Sequence, residues 1–223
     1  MTDQQYRDPA VPPEPTEGER TAATALFGDR LDEARGFVAH LATSGIERGL
    51  LGPREVPRLW GRHVLNCAVV ARLMEHDSSV VDVGSGAGLP GLAIAIARPD
   101  LELHLVEPLE RRVTWLNEVV MDLGLTNTTV HRARAEQMVG EISGRYVTAR
   151  AVSALSTLAG WTIPLTKPDG EVLAIKGRSA GEEIEKARKV IRKLGGDTAE
   201  ILSVGSDLLD EATTVVRIRR RTH

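Results

Sequence analysis

The rhythm of apolar and polar positions changes near residue 80. Before it, apolar residues recur at helical spacing. Leu31, Ala34, Val38 and Leu41 mark one face within residues 28–43, and Leu65, Val69 and Leu73 mark a second. A turn around residues 49–53 separates the two, and Pro57 sits near the start of the second helical stretch. From residue 80 onward, short apolar runs alternate with longer amphipathic ones. Strands are predicted at residues 80–83, 101–106, 128–132, 146–149, 171–176, 201–204 and 213–219. Helices are predicted between the first six, for example at residues 111–123 and 181–194, the latter stopped by Gly195 and Gly196. Only residues 205–212 separate the last two strands, too few for a crossover helix, so these strands should pair antiparallel. The pattern therefore predicts an α/β fold: five parallel strands, a sixth after a helix and a last strand running antiparallel. A helical extension precedes this sheet. A dinucleotide-binding fold would need a crossover before a final parallel strand.

Residues 1–18 carry Pro9, Pro12, Pro13 and Pro15 among acidic and polar residues and read as a disordered tail. The chain then divides into N-terminal helices at residues 19–76, expected to pack on one edge of the main domain, and a sheet domain at residues 77–223. With 42% hydrophobic residues, 223 residues can bury a core of ordinary size. Aromatics at 3% leave no stacking platform for single-stranded RNA. A net charge of −3 argues against a dedicated nucleic-acid binder, although local basic patches remain at Arg111-Arg112, at residues 186–193 and at residues 217–221. In the second of these patches, Glu182, Glu183 and Glu185 interleave, which suits a solvated helix face. One cysteine, Cys67, permits neither a disulfide framework nor a cysteine zinc site, and the six histidines show no ligand spacing, so no metal is expected. No apolar run approaches membrane-spanning length and no signal peptide is evident, so a reducing cytoplasmic setting is expected.

The densest chemical signal lies at residues 80–91. A short apolar run ends in Asp82, and Gly84, Gly86, Gly88 and Gly91 follow. Such a turn lets a cofactor lie against bare backbone beside a helix N-terminus. Gly84, Gly86 and Gly88 fit the Asp-x-Gly-x-Gly-x-Gly pattern of S-adenosylmethionine (SAM) sites. Gly86, Gly88 and Gly91 fit the Gly-x-Gly-x-x-Gly dinucleotide pattern. About 80 residues precede the turn, whereas a dinucleotide fingerprint commonly opens its domain. Glu107 ends the second strand, where a carboxylate can accept both hydroxyls of a ribose. Asp82 either holds the turn through its N–H groups or faces the ammonium of a methionine moiety.

Other candidates follow the remaining strands. Arg134-Ala135-Glu136 reads either as the border of an adenine pocket or as a helix start with an acid in its first turn. Arg150, flanked by Ala149 and Ala151, has room to enter a cleft. Lys176, Gly177, Arg178 and Gly181 form a basic, glycine-containing loop able to grip phosphates. Lys167, in the turn before the fifth strand, is assigned to the surface. Arg62 and His63 either face RNA or, for His63, serve as an ordinary core or capping histidine. No Asp/Asn-Pro-Pro-Tyr/Phe motif follows the fourth strand, which disfavours methylation of an exocyclic amine. Cys67, expected on a helix outside the sheet, does not suit the nucleophile that carbon-5 pyrimidine methylation needs.

Taken together, Arg62-His63, the run from Asp82 to Gly91, Arg134-Ala135-Glu136, Ala149-Arg150-Ala151 and Lys176-Gly177 resemble the bacterial 16S rRNA (guanine-N7) methyltransferase G family, also called glucose-inhibited division protein B. The resemblance covers about residues 28–220. Asn66-Cys67 departs from the Asp-Ser that the family often carries after its Arg-His pair. The resemblance implies a class I SAM-methyltransferase sheet, with SAM as cofactor and contacts to it from Gly84, Leu89, Ala135, Glu136 and Arg150. It implies methyl transfer to N7 of a guanosine in the helix-18 loop of 16S rRNA, within the 30S subunit, by a monomer. On this reading Gly86, Gly88 and Glu107 complete the cofactor site, Arg150 and Lys176 serve catalysis, and Arg62, His63, Lys176 and Arg178 meet RNA. The alternatives are a SAM methyltransferase acting on a small molecule and an NAD(P)-dependent oxidoreductase.

Overall fold

The structure is a computed structural model that describes residues 12–150 and 153–222. Seven strands form one sheet: β1 (Ser79–Val83), β2 (Glu102–Val106), β3 (Thr128–His131), β4 (Gly144–Arg150), β5 (Thr166–Ile175), β6 (Gly196–Val204) and β7 (Thr213–Arg220). Their order is β3-β2-β1-β4-β5-β7-β6. β1 to β5 pair in parallel, and β7 lies antiparallel between β5 and β6. This is the predicted topology, and the antiparallel β7 removes the dinucleotide-oxidoreductase alternative. Strand order reverses at β1, between β2 and β4. The carboxyl ends of β1 and β4 therefore flank the crevice where open α/β sheets bind ligands.

Helices cover both faces. α1 (Glu17–Phe27), α2 (Leu31–His40), α4 (Gly91–Ala97) and α5 (Glu110–Asp122) share one apolar cluster with Val80, Leu103 and Leu105. α6 (Leu155–Thr162) and α7 (Ala180–Lys193) bury Val81, Val147 and Ile218 on the other face. Alternation along β1 assigns Val80 to one face and Val81 to the other, as the strand period requires. The N-terminal helices lie on a face of the sheet and not at its edge. Phe37 of α2 and Trp115 of α5 are fully buried in the same cluster, and Trp115 Nε1 donates to Ser44 Oγ at 2.9 Å.

Several local elements differ from the sequence pattern: among them, the connection between β3 and β4, predicted helical, holds only the 3₁₀ turn Ala135–Met138, too short for a crossover α-helix. The expected tail at residues 1–18 lies outside the described residues up to residue 11, and helix α1 already begins at Glu17. Thr16 Oγ1 accepts the Glu19 N–H at 3.2 Å while Glu19 Oε2 accepts the Thr16 N–H at 2.8 Å. This reciprocal cap satisfies donors that a helix start leaves orphaned. The second predicted N-terminal helix is in fact composite. A 3₁₀ turn (Pro53–Arg58) leads into a π-helical segment (Leu59–Leu65), then the single α turn α3 (Asn66–Ala68) and a 3₁₀ turn (Val69–Leu73). Widened π turns change which side chains share a face and often mark functional sites. Among the described residues, no helix is long and apolar enough to cross a membrane.

Candidate functional site

The glycine turn after β1 is built around two buried carboxylates. Gly84, Gly86 and Gly88 take φ values of 71°, 54° and 73°, the left-handed region that side-chain-bearing residues occupy only with strain. The Gly84 N–H donates to Val106 O at 2.9 Å, stitching the turn to β2. Asp82, fully buried, accepts the Gly91 N–H at 3.1 Å and the Thr148 hydroxyl at 3.0 Å. Burial pushes its carboxyl up to about 6, against the pull of these hydrogen bonds. Of the two roles open to Asp82 in the sequence, the structure shows the one that holds the turn. A β-carbon on Gly91 would fall 2.3 Å from Leu105 Cδ2 and 2.6 Å from Asp82 Oδ2, so this glycine is fixed by packing.

Glu107 reaches back under the same turn. Its Oε2 accepts the Gly86 N–H at 3.0 Å and its Oε1 accepts the Leu109 N–H at 3.0 Å. The residue is 1% exposed and braces the turn from beneath. Each oxygen keeps a further lone pair. Arg112 Nη1 lies 3.6 Å from Glu107 Oε2, and Arg112 Nε is a buried donor with no partner among the described residues. The sequence presented Arg112 only as part of a basic patch. An unmatched donor beside a carboxylate suits a ligand carrying hydroxyls, as a ribose does. Leu89 and Ala135 are buried near this end of the sheet, while Glu136 is exposed in the 3₁₀ turn Ala135–Met138.

Arg150 sits at the carboxyl end of β4, but its guanidinium turns toward the N-terminal segment. Nη2 lies 2.8 Å from His63 Nδ1 and 3.3 Å from Arg62 O, and Nη1 lies 3.4 Å from Cys67 Sγ. Arg62 and His63, read as RNA-facing, and Arg150, read as cofactor-facing, are thus one cluster. Arg62 is exposed, whereas His63 is 6% exposed and bonds Glu55 Oε2 through Nε2 at 2.7 Å. His63 is therefore a buried linking residue and does not itself face RNA. Burial first, then the Arg150 charge, lowers its pKa. Cys67 lies on α3, a helix outside the sheet as expected, and its thiol reaches the Arg150 cluster at the end of β4. Burial raises its thiol to about 11, so the thiolate needed for nucleophilic attack is disfavoured. Ala151 lies outside the described residues.

Lys176 requires the clearest correction. Its side chain is 7% exposed, with Nζ donating to Ser153 O at 2.6 Å and pairing with Glu183 Oε2 at 2.8 Å. Glu183 sits in the first turn of α7, accepts the Leu155 N–H at 2.9 Å and needs this counter-charge in its half-buried position. Lys176 is spent on tying β5 to α6 and α7, so neither the catalytic nor the phosphate-gripping role fits its position. The exposed cation of that loop is Arg178.

The chain is similar in sequence and in fold to known proteins. The family model described as rRNA small subunit methyltransferase G (GidB) matches residues 30–210. The chain is 70% identical over 203 residues to the ribosomal RNA small subunit methyltransferase G of Arthrobacter sp. (strain FB24), spanning 91% of this chain and 94% of that protein. It is 68% identical over 203 residues to the protein of the same name from Pseudarthrobacter chlorophenolicus, again spanning 91% and 94%. In three dimensions it resembles a putative S-adenosyl-L-methionine-dependent methyltransferase from Methanococcus maripaludis, with a TM-score of 0.58 at 13% identity over 84% of this chain and 94% of that one. That likeness supports the class I methyltransferase fold. The chain belongs to the rRNA small subunit methyltransferase G family.

Proposed function

We propose that this chain transfers a methyl group from SAM to N7 of a guanosine in the helix-18 loop of 16S rRNA, acting on the 30S subunit. The observation that carries the reading is the glycine turn at the β1/β4 switch point, in a chain 70% identical to a named small-subunit rRNA methyltransferase. The residues present fit SAM. The turn offers bare backbone at Gly84, Gly86 and Gly88, with Leu89 beside it. Ala135 and Glu136 would border the adenine, Glu107 with Arg112 would meet the ribose, and Arg150 would order the methionine end. When bound, SAM supplies an electrophilic methyl group on a sulfonium.

Guanine N7 carries a lone pair and loses no proton on methylation, so the chemistry asks for no general base. The site agrees with this, because Asp82 and Glu107 are both engaged by backbone N–H groups. Alignment is then the main contribution of the chain, and positioning alone can supply about 7–11 kcal/mol. Positive charge passes to the base during transfer, so cations belong at phosphates rather than at N7. Arg62 and Arg178, exposed around the cleft, suit that task. The target base must be unstacked to enter.

A chain with net charge −3 and few aromatics holds naked RNA weakly, so shape on the assembled subunit would supply the rest. The reading places the chain in the cytoplasm, acting as a monomer. The test is incubation with methyl-labelled SAM and 30S particles lacking the modification, alongside a short free hairpin. Label entering 16S rRNA from 30S particles, and far less entering the hairpin, is the expected result. Label on neither RNA would overturn the assignment.

A further inference from the structure

We propose that Glu55 is a positioning residue that sets the direction of the Arg150 guanidinium, acting through the His63 ring. The proposal rests on the reading above for what Arg150 meets, but the relay itself stands on geometry. A guanidinium has five N–H donors and no acceptor. At 2.8 Å from Arg150 Nη2, His63 Nδ1 must therefore present its lone pair. The ring proton then belongs on Nε2, which lies 2.7 Å from Glu55 Oε2, an acceptor only. The two contacts select the same tautomer. The other tautomer would point an N–H at the guanidinium and a lone pair at the carboxylate, losing both bonds at once. His63 is 6% exposed, so water cannot replace them.

The surroundings point the same way. His63 is faced by Glu55, Arg62 and Arg150, with the Cys67 thiol bonded to the same guanidinium. A protonated ring would put a second cation against Arg150, and burial together with that charge keeps the ring neutral. The remaining acceptors of Arg150, Arg62 O at 3.3 Å and Cys67 Sγ at 3.4 Å, are longer. The short His63 contact is thus the one that fixes the fork. Glu55 is itself held from outside, with Arg58 Nη1 at 3.8 Å and Arg62 Nε at 4.0 Å. It sits in the 3₁₀ turn Pro53–Arg58, and His63 sits in the π segment Leu59–Leu65, so two irregular turns bring together side chains eight residues apart. One carboxylate consequently links two exposed arginines on the RNA side to one arginine at the cofactor crevice.

The test reads the tautomer directly, by two-bond ¹H–¹⁵N correlation of the His63 ring in the full chain, beside calorimetric SAM affinity. The wild-type ring should show a protonated Nε2 and an unprotonated Nδ1 above pH 7. Glu55→Ala should give a mixture of tautomers and weaken SAM binding by about tenfold, the worth of one buried hydrogen bond. Glu55→Gln keeps an acceptor and should restore both readouts to within about twofold on the same hydrogen-bond scale. A wild-type ring protonated at Nδ1 would overturn the proposal without any variant. An unchanged tautomer in Glu55→Ala would overturn it too, whatever happens to SAM affinity. If SAM fails to bind even the wild type, the cofactor reading fails, while the ring spectrum still decides the relay.

Discussion

Gly91 donates its N–H to Asp82 Oδ2 at 3.1 Å, and the absence of a side chain on Gly91 is what allows that approach. The buried carboxylate, the glycine and the Thr148 hydroxyl fix where β1 ends and α4 begins. Replacing Gly91 with alanine forces its β-carbon to within 2.3 Å of Leu105 and 2.6 Å of Asp82. Overpacking of this kind costs about 1–3 kcal/mol. Gly91→Ala should lower the thermal midpoint and weaken SAM binding together, as seen by melting curves and calorimetry. A variant with unchanged midpoint and affinity would mean that the turn is softer than its packing implies.

The same carboxylate imposes a pH dependence. Burial raises the Asp82 pKa to about 6, above its unfolded value of 3.8. Between those two values the folded state binds more protons than the unfolded one, so stability falls as pH rises through the window. Above about pH 6 the full cost of the buried ionised group is present, on the order of 3 kcal/mol. Asp82→Asn removes this titration. Denaturant unfolding at pH 4.5 and 7 should show the variant losing the Asp82-linked fall in stability. Parallel pH profiles for the two proteins would contradict the assignment.

Lys176 and Arg178 are two residues apart and should behave differently. Lys176→Met strands the Glu183 carboxylate in a half-buried site, and unpairing such a charge is expected to cost about 2–4 kcal/mol. Arg178→Ala removes an exposed side chain and should change stability by less than about 0.5 kcal/mol. Its effect should appear instead as weaker 30S binding and a shallower salt dependence, by about one unit of slope. Melting curves and binding at two salt concentrations separate the cases.

Cys67 gives a chemical check on the cluster at the end of β4. The thiol is fully buried and raised to about 11. Native protein at pH 8 should react with a thiol reagent far more slowly than the unfolded chain does. Rapid stoichiometric labelling of the folded protein would show that the Arg62–Arg150 region opens.

All seven strands were legible because each carries a short apolar or β-branched run, although β6 exposes most of its length and β3 buries no residue fully. The strand ends were less so. β5 starts at Thr166, through a polar stretch containing Asp169 in the left-handed region, where the pattern alone begins at residue 171. Helix α1 was hidden by the proline-rich composition before it, although Thr16 and Glu19 carry a capping-box spacing that marks its start. The glycine turn was readable from spacing, since left-handed backbone selects glycine. The pairing of Arg150 with His63 was not, because those residues are 87 apart and meet only through the fold. Lys176 shows the converse. A cation in a glycine-rich loop suggests a ligand, and only its burial beside Glu183 shows where the charge goes.

The central claim is chemical, so the most direct measurement maps the product. After incubation with SAM and unmodified 30S particles, the 16S rRNA is reduced with borohydride and treated with aniline, which cleaves at N7-methylguanosine. The account predicts one new, SAM-dependent cleavage, in the helix-18 loop. Methyl label in the rRNA with no such cleavage would contradict it.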